Sequence, residues 1–294
     1  MRNVVKVRLY PTSEQENSLA KAFGSCRYIW NYCLAKNNQI YKETGKGISA
    51  ITMKKWIPQL KKNEETEWLK ETYSQCLQSS VINLGIAYKN FFEKRGGYPR
   101  FKSKYGKQSL QYPQNVKIKD TGLHFPKIGE IKANLHRSMP GGIRQPKAGE
   151  SSKTIDGELK TVTVSKTKTN KYYASLLFDD GLSEPKPNSS GKVLGIDLGI
   201  SSYCITSDGS KYDNPRHLKK HERNLKRKQR KLSRKQKGSN SRNKARRLVA
   251  RAHEKISNAR QDFLHKLSRK LVDKSQALCV IQRIQRTHSK ALAA

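Results

Sequence analysis

Long apolar runs are missing from this sequence. No window approaches the stretch of about 18 apolar residues that a membrane-spanning helix needs. The N-terminus, MRNVVKVRLYPTSEQ, turns polar before it could form the apolar region of a secretory signal. These two absences argue against a membrane or secreted protein, and we expect a soluble protein of the cell interior.

Cysteine is also scarce. The five cysteines are odd in number, widely spaced and without a CxxC pair. This pattern favours reduced, buried thiols over disulfides or a zinc site. The five are Cys26, Cys33, Cys76, Cys204 and Cys279.

Acidic residues show the largest deficit. The chain has 23 Asp plus Glu against 61 Lys plus Arg, which gives a formal net charge of +38 and a pI near 10.2. Such an excess repels itself in a compact state and is best tolerated when a polyanion neutralises it. The predicted partner is therefore a nucleic acid, and an anionic membrane surface is the second choice.

Apolar residues recur at helical spacing over residues 12–95. The spacing predicts two helices over 12–44 that are separated by a break at Gly24. A third helix is predicted over about 49–60 and a fourth over about 66–93. This part of the chain is thus expected to be a helical subdomain.

Short alternating segments predict β-structure on either side of the helices. Residues 3–10 read as a strand, and several strand-like pieces with turn residues between them lie within 100–182. We expect the opening strand to pair with these pieces in a small barrel or sandwich. A stretch rich in Pro, Ser and Gly predicts a linker over 184–191.

The segment VLGIDLGI, residues 193–200, places Asp197 between two glycines after an aliphatic run. It predicts a strand, a tight turn and a second strand, which resembles the way a ribonuclease-H-like fold presents its first metal-binding carboxylate. The same GIDLG pattern occurs in actin-like sugar kinases and chaperone ATPases near nucleotide phosphates, and many structural strands end in Asp. The motif alone leaves a metal ligand, a phosphate-site residue and a structural residue open.

Residues 216–255 contain 18 Lys or Arg and two Glu. Helix-forming residues flank KGSNSRN and predict two long basic helices, the second reaching about Val272, before an apolar strand QALCVI. A solvated helix normally mixes charges of both signs, but residues 225–247 contain no acid. We therefore predict contact with a phosphate backbone rather than a solvated tail. The candidate contacts are Arg227, Lys231, Arg234 and Lys235.

Five stretches together resemble the TnpB or OrfB proteins of bacterial insertion sequences. They are KVRLYPTSEQ, FGSCRYIWNYCL, GYPRFKSK, VLGIDLGI and RKLSRKQKGSNSRNKARR. Proteins of that family are RNA-guided DNA endonucleases related to the miniature type V CRISPR nucleases. The resemblance implies a multidomain α/β fold. It would have a wedge β-barrel (1–11 and 96–183), an inserted helical recognition lobe (12–95), a linker (184–191) and an incomplete RuvC, or ribonuclease-H-like, domain with basic helices (192–294).

The resemblance also implies two partners, a guide RNA and a double-stranded DNA target. Guide pairing would read most of the target, while wedge and lobe hold RNA and read a short flanking motif. The recognition-lobe candidates are Arg27, Tyr28, Trp30 and Asn31, of which the two aromatic residues are expected in the core rather than stacked on bases. Arg100 and Lys102, which follow GYP, are predicted phosphate contacts.

This chain departs from the family at the nuclease site. RuvC cleavage uses two divalent metals and, in the family, three carboxylates. Asp197 matches the first, but Gln282 and Arg283 stand where an acidic pair is expected, and no acid follows Asp273. Asp197 is then structural or vestigial, or a first metal carboxylate only if a divalent ion binds. The implied Mg²⁺ is not expected to support cleavage, and no zinc site is expected. The histidines that could be nominated as substitutes are not expected to restore the site. They are His253, His265 and His288.

The sequence therefore predicts a TnpB-like RNA-guided DNA-binding protein of the bacterial cytoplasm, associated with the nucleoid and deficient as a nuclease. By blocking access to DNA, it would act as a transcriptional repressor. One alternative is a truncated or frame-shifted copy of an active endonuclease or transposase accessory protein. The other is a general RNA-binding protein without a DNA role.

A ribonuclease-H-like sheet ending at its fourth strand would also leave an uncovered edge.

Overall fold

A computed structural model describes residues 2–135, 158–179 and 191–281. The chain divides into two compact units, Met1–Ser183 and Glu184–Ala294. Most of the linker predicted over 184–191 lies outside the described residues.

The first unit contains a seven-stranded sheet in the order β2-β6-β7-β1-β5-β4-β3. Every pairing in it is antiparallel. The opening strand therefore lies inside the sheet and pairs with strands from much later in the chain, as the sequence predicted. The strands are β1 Arg2–Tyr10, β2 Gln108–Tyr112, β3 Lys117–Ile118, β4 Gly122–Phe125, β5 Gly129–Asn134, β6 Glu158–Lys166 and β7 Tyr172–Asp179.

The alternation in β1 sets which face of the sheet is buried. Val5, Val7 and Leu9 are at most 3% exposed, and the residues between them face outward. Val5 is opposite Leu176 and Val7 is opposite Ala174, so the inward residues of β1 and β7 coincide. Burying each large aliphatic side chain contributes about 1.5–3 kcal/mol. A one-residue slip would expose this whole set, so the register is strongly specified.

The first helix, α1, runs unbroken over Ser13–Thr44, so the predicted break at Gly24 is wrong. A glycine inside a helix costs about 1 kcal/mol relative to alanine. Buried residues on both sides of Gly24 pack into one core and outweigh that cost. A capping box at Thr12 begins the helix and a left-handed Gly45 ends it, so the outer bounds match the predicted range 12–44.

The remaining helices of this unit are shorter than predicted. The expected helix over 49–60 is two helices, α2 Ala50–Lys54 and α3 Trp56–Lys62, because Pro58 has no N–H to continue the first. The helix expected over 66–93 is a 3₁₀ helix, Glu64–Glu71, followed by α4, Ser74–Phe92. Extended backbone at Thr72 separates them, and the Thr72 hydroxyl donates to Ser25 Oγ at 2.8 Å.

The second unit contains a four-stranded sheet in the order β10-β9-β8-β11. β8 pairs antiparallel with β9 and parallel with β11, so β8 is an interior strand. The strand, turn and strand predicted around Asp197 are confirmed, as is the late apolar strand. The strands are β8 Val193–Leu198, β9 Ser202–Thr206, β10 Lys211–Asp213 and β11 Ala277–Ile281.

Both predicted basic helices are present, as α5 His217–Ser233 and α6 Asn240–Lys274. They pack along a narrow apolar seam centred on Leu225, Val249 and Ile256. Farther along α6, Leu267 and Leu271 pack on the sheet. The long helix α6 therefore joins the helical pair to the sheet.

None of the helices in the described ranges is long and apolar enough to cross a membrane. All five cysteines are free thiols, and four of them are buried. Cys279 is exposed on β11, which corrects the expectation that all five are buried. It is exposed because β11 is an edge strand in the described sheet.

Gly122→Ala tests the packing of the seven-stranded sheet. A methyl group at Gly122 would lie 2.1 Å from the carbonyl oxygen of Ile131 on β5, whereas one at Gly97 would meet nothing within 4 Å. We expect the first substitution to destabilise the first unit by about 1–3 kcal/mol. We expect Gly97→Ala to change the free energy of unfolding by no more than about 0.5 kcal/mol. Urea unfolding followed by tryptophan fluorescence reports this unit, because all three tryptophans lie in it. Equal midpoints for the two variants would contradict the assigned β4–β5 register.

Candidate nucleic-acid interface

The structure brings together the α1 candidates and the two candidates that follow GYP. Asn31 binds the backbone of Lys102 twice, because its amide donates to the carbonyl at 2.9 Å and accepts from the N–H at 2.8 Å. The preceding residue, Trp30, donates from its Nε1 to the carbonyl of Arg100 at 3.0 Å. These bonds fasten an irregular segment to a rigid helix. The Arg100 side chain remains exposed.

Trp30 is a core residue, as the sequence predicted. It is 7% exposed, and the Lys102 ammonium lies 3.5 Å from its ring centroid. Burial, with the nearby positive charge of Lys107 as a smaller cause, lowers the pKa of Lys102, while Cys26 acts in the opposite sense. Trp30 therefore has no free face for a base, and the Lys102 ammonium is partly engaged within the protein.

Tyr28 is half-buried and belongs to an aromatic cluster. Its ring stacks with Tyr32 at a centroid distance of 6.1 Å and meets Trp68 edge-on at 5.2 Å. Burial raises the pKa of Tyr28, as do the charges of Tyr32 and Glu65 to a smaller extent. Unlike Trp30, Tyr28 keeps part of its surface accessible.

Gln108 is a contributor that sequence reasoning missed. Its carbonyl oxygen accepts from Arg27 Nη1 at 3.3 Å, and its amide donates to the carbonyl of Lys104 at 2.9 Å. Gln108 thus connects Arg27 to the loop that precedes β2. No local pattern marks a glutamine at the start of a strand for such a role, since Arg27 is distant from it in sequence.

The second candidate surface lies on the basic helices of the other unit. All four predicted contacts are exposed: Arg227, Lys231, Arg234 and Lys235. Arg242, near the start of α6, donates to the carbonyls of Leu232 and Lys235 at 3.2 Å and 2.6 Å. It thereby adds a side-chain donor to one carbonyl in the last turn of α5 and to one just beyond the helix. This contact, which the sequence did not predict, fixes the turn that carries Arg234 and Lys235.

Asp197 lies on an interior strand, near its carboxyl end. In the register it is opposite Ile205 on β9 and beside Ile281 on β11. Its charge adds to burial, the larger cause, in raising the pKa of Cys204. Packing favours glycine at position 199, because an added methyl group would lie 2.9 Å from the carbonyl oxygen of Ser202.

Asp197 belongs to no group of metal ligands among the residues that the structure describes. Within residues 2–135, 158–179 and 191–281, no three His, Cys, Asp or Glu side chains come together in a group that could hold a metal ion. Gln282 and Arg283, the residues that replace the expected acidic pair, lie outside the described residues, as does His288. His253 and His265 are exposed on α6.

Two family models match the chain. An OrfB model of the IS605 type, described as "Probable transposase", matches residues 161–290. A second OrfB model, described as "Helix-turn-helix domain", matches residues 1–46. The described part of this second range forms β1 and the single helix α1, and not two helices joined by a turn.

Two relatives align along nearly the whole chain. The Escherichia coli K12 protein named "Putative RNA-guided DNA endonuclease InsQ" is 33% identical over 98% of this chain and 68% of its own length. A Streptomyces pristinaespiralis protein, which has the same name without "InsQ", is 35% identical over 95% of this chain and 66% of its own length. The chain therefore spans about two thirds of these relatives.

A solved structure shares the fold. The structure, "Cryo-EM structure of the Cas12f1-sgRNA-target DNA complex", matches with a TM-score of 0.53 at 11% identity, over 95% of this chain and 80% of the other. The fold and the matched models define the class as OrfB-type proteins with a Cas12f-like mixed α/β fold. The chain belongs to the TnpB or OrfB family, which confirms the resemblance of its sequence motifs.

Asn31→Ala tests whether the segment after GYP is fastened by α1. The substitution removes both bonds to the Lys102 backbone. We expect the Lys102 amide hydrogen to exchange with solvent at least about fivefold faster, since one such bond contributes about 1 kcal/mol. Gln39→Ala on the same helix is the control, because the Gln39 side chain bonds to Glu43, one turn along α1. Unchanged exchange at Lys102 in the Asn31 variant would contradict the fastening.

Proposed function

We propose that this protein binds a guide RNA and uses it to bind matching double-stranded DNA, without cutting that DNA by itself. The observation that carries the nucleic-acid part is the exposed, acid-free surface at the α5–α6 turn. Residues 223–253 contain no acidic residue. A cationic helical surface of this kind binds phosphates through counterion release, which makes the affinity depend on salt.

The RNA-guided part of the proposal draws on the relatives. Two proteins more than 30% identical are named RNA-guided DNA endonucleases, and the structure with a similar fold holds a guide RNA and target DNA. In this class of protein, pairing with the guide reads sequence while the protein holds the backbone. The strong positive charge of the chain suits both nucleic-acid partners.

The proposal extends to the domains. The seven-stranded sheet would be the wedge over 1–11 and 96–183, and the helices between β1 and β2 would be the recognition lobe. The four-stranded sheet, with one parallel and two antiparallel pairings, would be the start of a RuvC-like domain. Arg27, Tyr28, Asn31, Arg100 and Lys102 would then belong to the RNA- and DNA-holding surface.

The absence of cleavage is proposed from the donors around Asp197. Two divalent ions that bracket a scissile phosphate need several carboxylates. β11 runs parallel to β8 and brings Ile281 beside Asp197, so the next residues of the chain are Gln282 and Arg283 where the family has acids. These donors do not fit a pair of Mg²⁺ ions, and no cleavage step is assigned. A guided protein that binds without cutting would block access to its target, for example at a promoter, and so repress transcription.

Neutralising the α5–α6 surface tests the nucleic-acid contact. The variant carries Arg227→Gln, Lys231→Gln, Arg234→Gln and Lys235→Gln. We expect the slope of log affinity for RNA against log salt concentration to be smaller in magnitude by up to about four units, or about one per phosphate contact. A matched control places Gln at four cations that have acidic partners: Lys70, Lys160, Lys266 and Arg269. Salt-titrated fluorescence anisotropy measures both. A slope that falls equally in the two variants would contradict a localised surface.

The second test combines copurification and cleavage. We expect a discrete small RNA to copurify with the chain, and the resulting complex to shift DNA matched to that RNA in a mobility assay. With Mg²⁺ added, the matched DNA should remain intact, and Asp197→Asn should bind as well as the unsubstituted chain. Efficient cleavage that Asp197→Asn abolishes would show an active endonuclease instead. Binding to RNA without preference for matched DNA would show a general RNA-binding protein.

A further inference from the structure

Two adjoining cavities lie in the first unit on the side of α1 that carries Arg27. One has a volume of about 760 Å³ and the other of about 570 Å³. Arg27 and Phe101 line both of them. Their linings differ in chemistry, one being aromatic and the other polar and basic.

We propose that the two cavities form one site for an unpaired nucleotide, with the base in the aromatic cavity and its phosphate in the basic cavity. This inference rests on the proposed function, since it specifies how the protein would hold part of a nucleic-acid strand. The strand could be RNA or displaced DNA, which share the base and the phosphate.

The larger cavity has the lining that a base requires. Tyr28, Tyr32, Trp68 and Phe101 border it. Trp68 is 41% exposed and Phe101 is 61% exposed, so ring surface is available for stacking. Unpaired bases stack on such aromatic side chains with little regard to sequence.

An acidic wall explains why the phosphate would lie elsewhere. Glu71 lines the larger cavity and pairs with Lys21 at 2.7 Å, so that lysine's charge is already balanced. The charge of Glu65 also reaches Tyr28. A phosphate in this cavity would therefore meet nearby negative charge.

The smaller cavity has the opposite character. Arg27, Lys102 and Lys107 line it together with Ser, Thr, Asn and Gln side chains, and its lining contains no acidic residue. The mutual proximity of the two lysines contributes to the lowered pKa of Lys102. An anion would relieve this repulsion and accept hydrogen bonds from the surrounding donors.

Phe101 and Arg27 join the two halves of the site. Phe101 borders both cavities, so its ring can contact the base from the side that faces the phosphate. Arg27 is oriented by its bond to Gln108 at 3.3 Å. A nucleotide that spans the two cavities would place its charge on the Arg27 side and its base against the rings.

A short single-stranded oligonucleotide that contains one 2-aminopurine tests the site, because the fluorescence of this base is quenched when it stacks on an aromatic ring. In the full chain we expect quenching on binding. Phe101→Ala should abolish most of the quenching and weaken single-strand binding by at least about fivefold. Phe92→Ala is the matched control, because Phe92 is also an exposed phenylalanine of this unit, at 74%, and lines neither cavity. Lys107→Gln should reduce the salt slope by about one unit while leaving the bound base quenched.

RNA and DNA versions of the oligonucleotide identify the strand, and a fully paired duplex should show no Phe101-dependent signal. If the chain binds oligonucleotides but Phe101→Ala and Phe92→Ala behave alike, the nucleotide site is overturned while the proposed function stands. If the chain binds no nucleic acid in any arm, the proposed function itself fails.

Discussion

The fold of the first unit depends on β1, which pairs with another strand along each of its two edges. This strand contributes three buried side chains to the core and is hydrogen-bonded to β5 and to β7, whose residues lie more than a hundred positions later. The helices described in this unit are all inserted between this strand and β2. Helices and sheet share one buried core, so the packing of the helices depends on these pairings between residues distant in sequence.

The candidate surfaces depend on helices that hold irregular backbone in place. α1 holds the segment after GYP through Asn31 and Trp30, and the start of α6 holds the end of α5 through Arg242. In both cases a side chain on a helix binds backbone groups of another segment. This arrangement keeps exposed cations and aromatic rings on a defined frame, which favours recognition over loose electrostatic attachment.

The sequence predicted the type of most elements, because apolar spacing reflects burial directly. The strand at β1, the Asp197 turn and both basic helices followed from local pattern. The break at Gly24 failed because tertiary packing outweighs a local preference. Arg27 and Asn31 were predicted as candidates from the family motif, but Gln108, the partner of Arg27, was not, since only folding brings residues so far apart in sequence together.

The α5–α6 pair has an unusual energetic balance. Its apolar seam rests on three buried residues, and these must oppose the repulsion of many like charges. A polyanion that binds the folded pair but not the separated helices stabilises it by mass action. The order of the α5–α6 pair thus depends on the bound polyanion as well as on the chain. Ionic strength should therefore change how well the pair is ordered as well as its affinity for the polyanion.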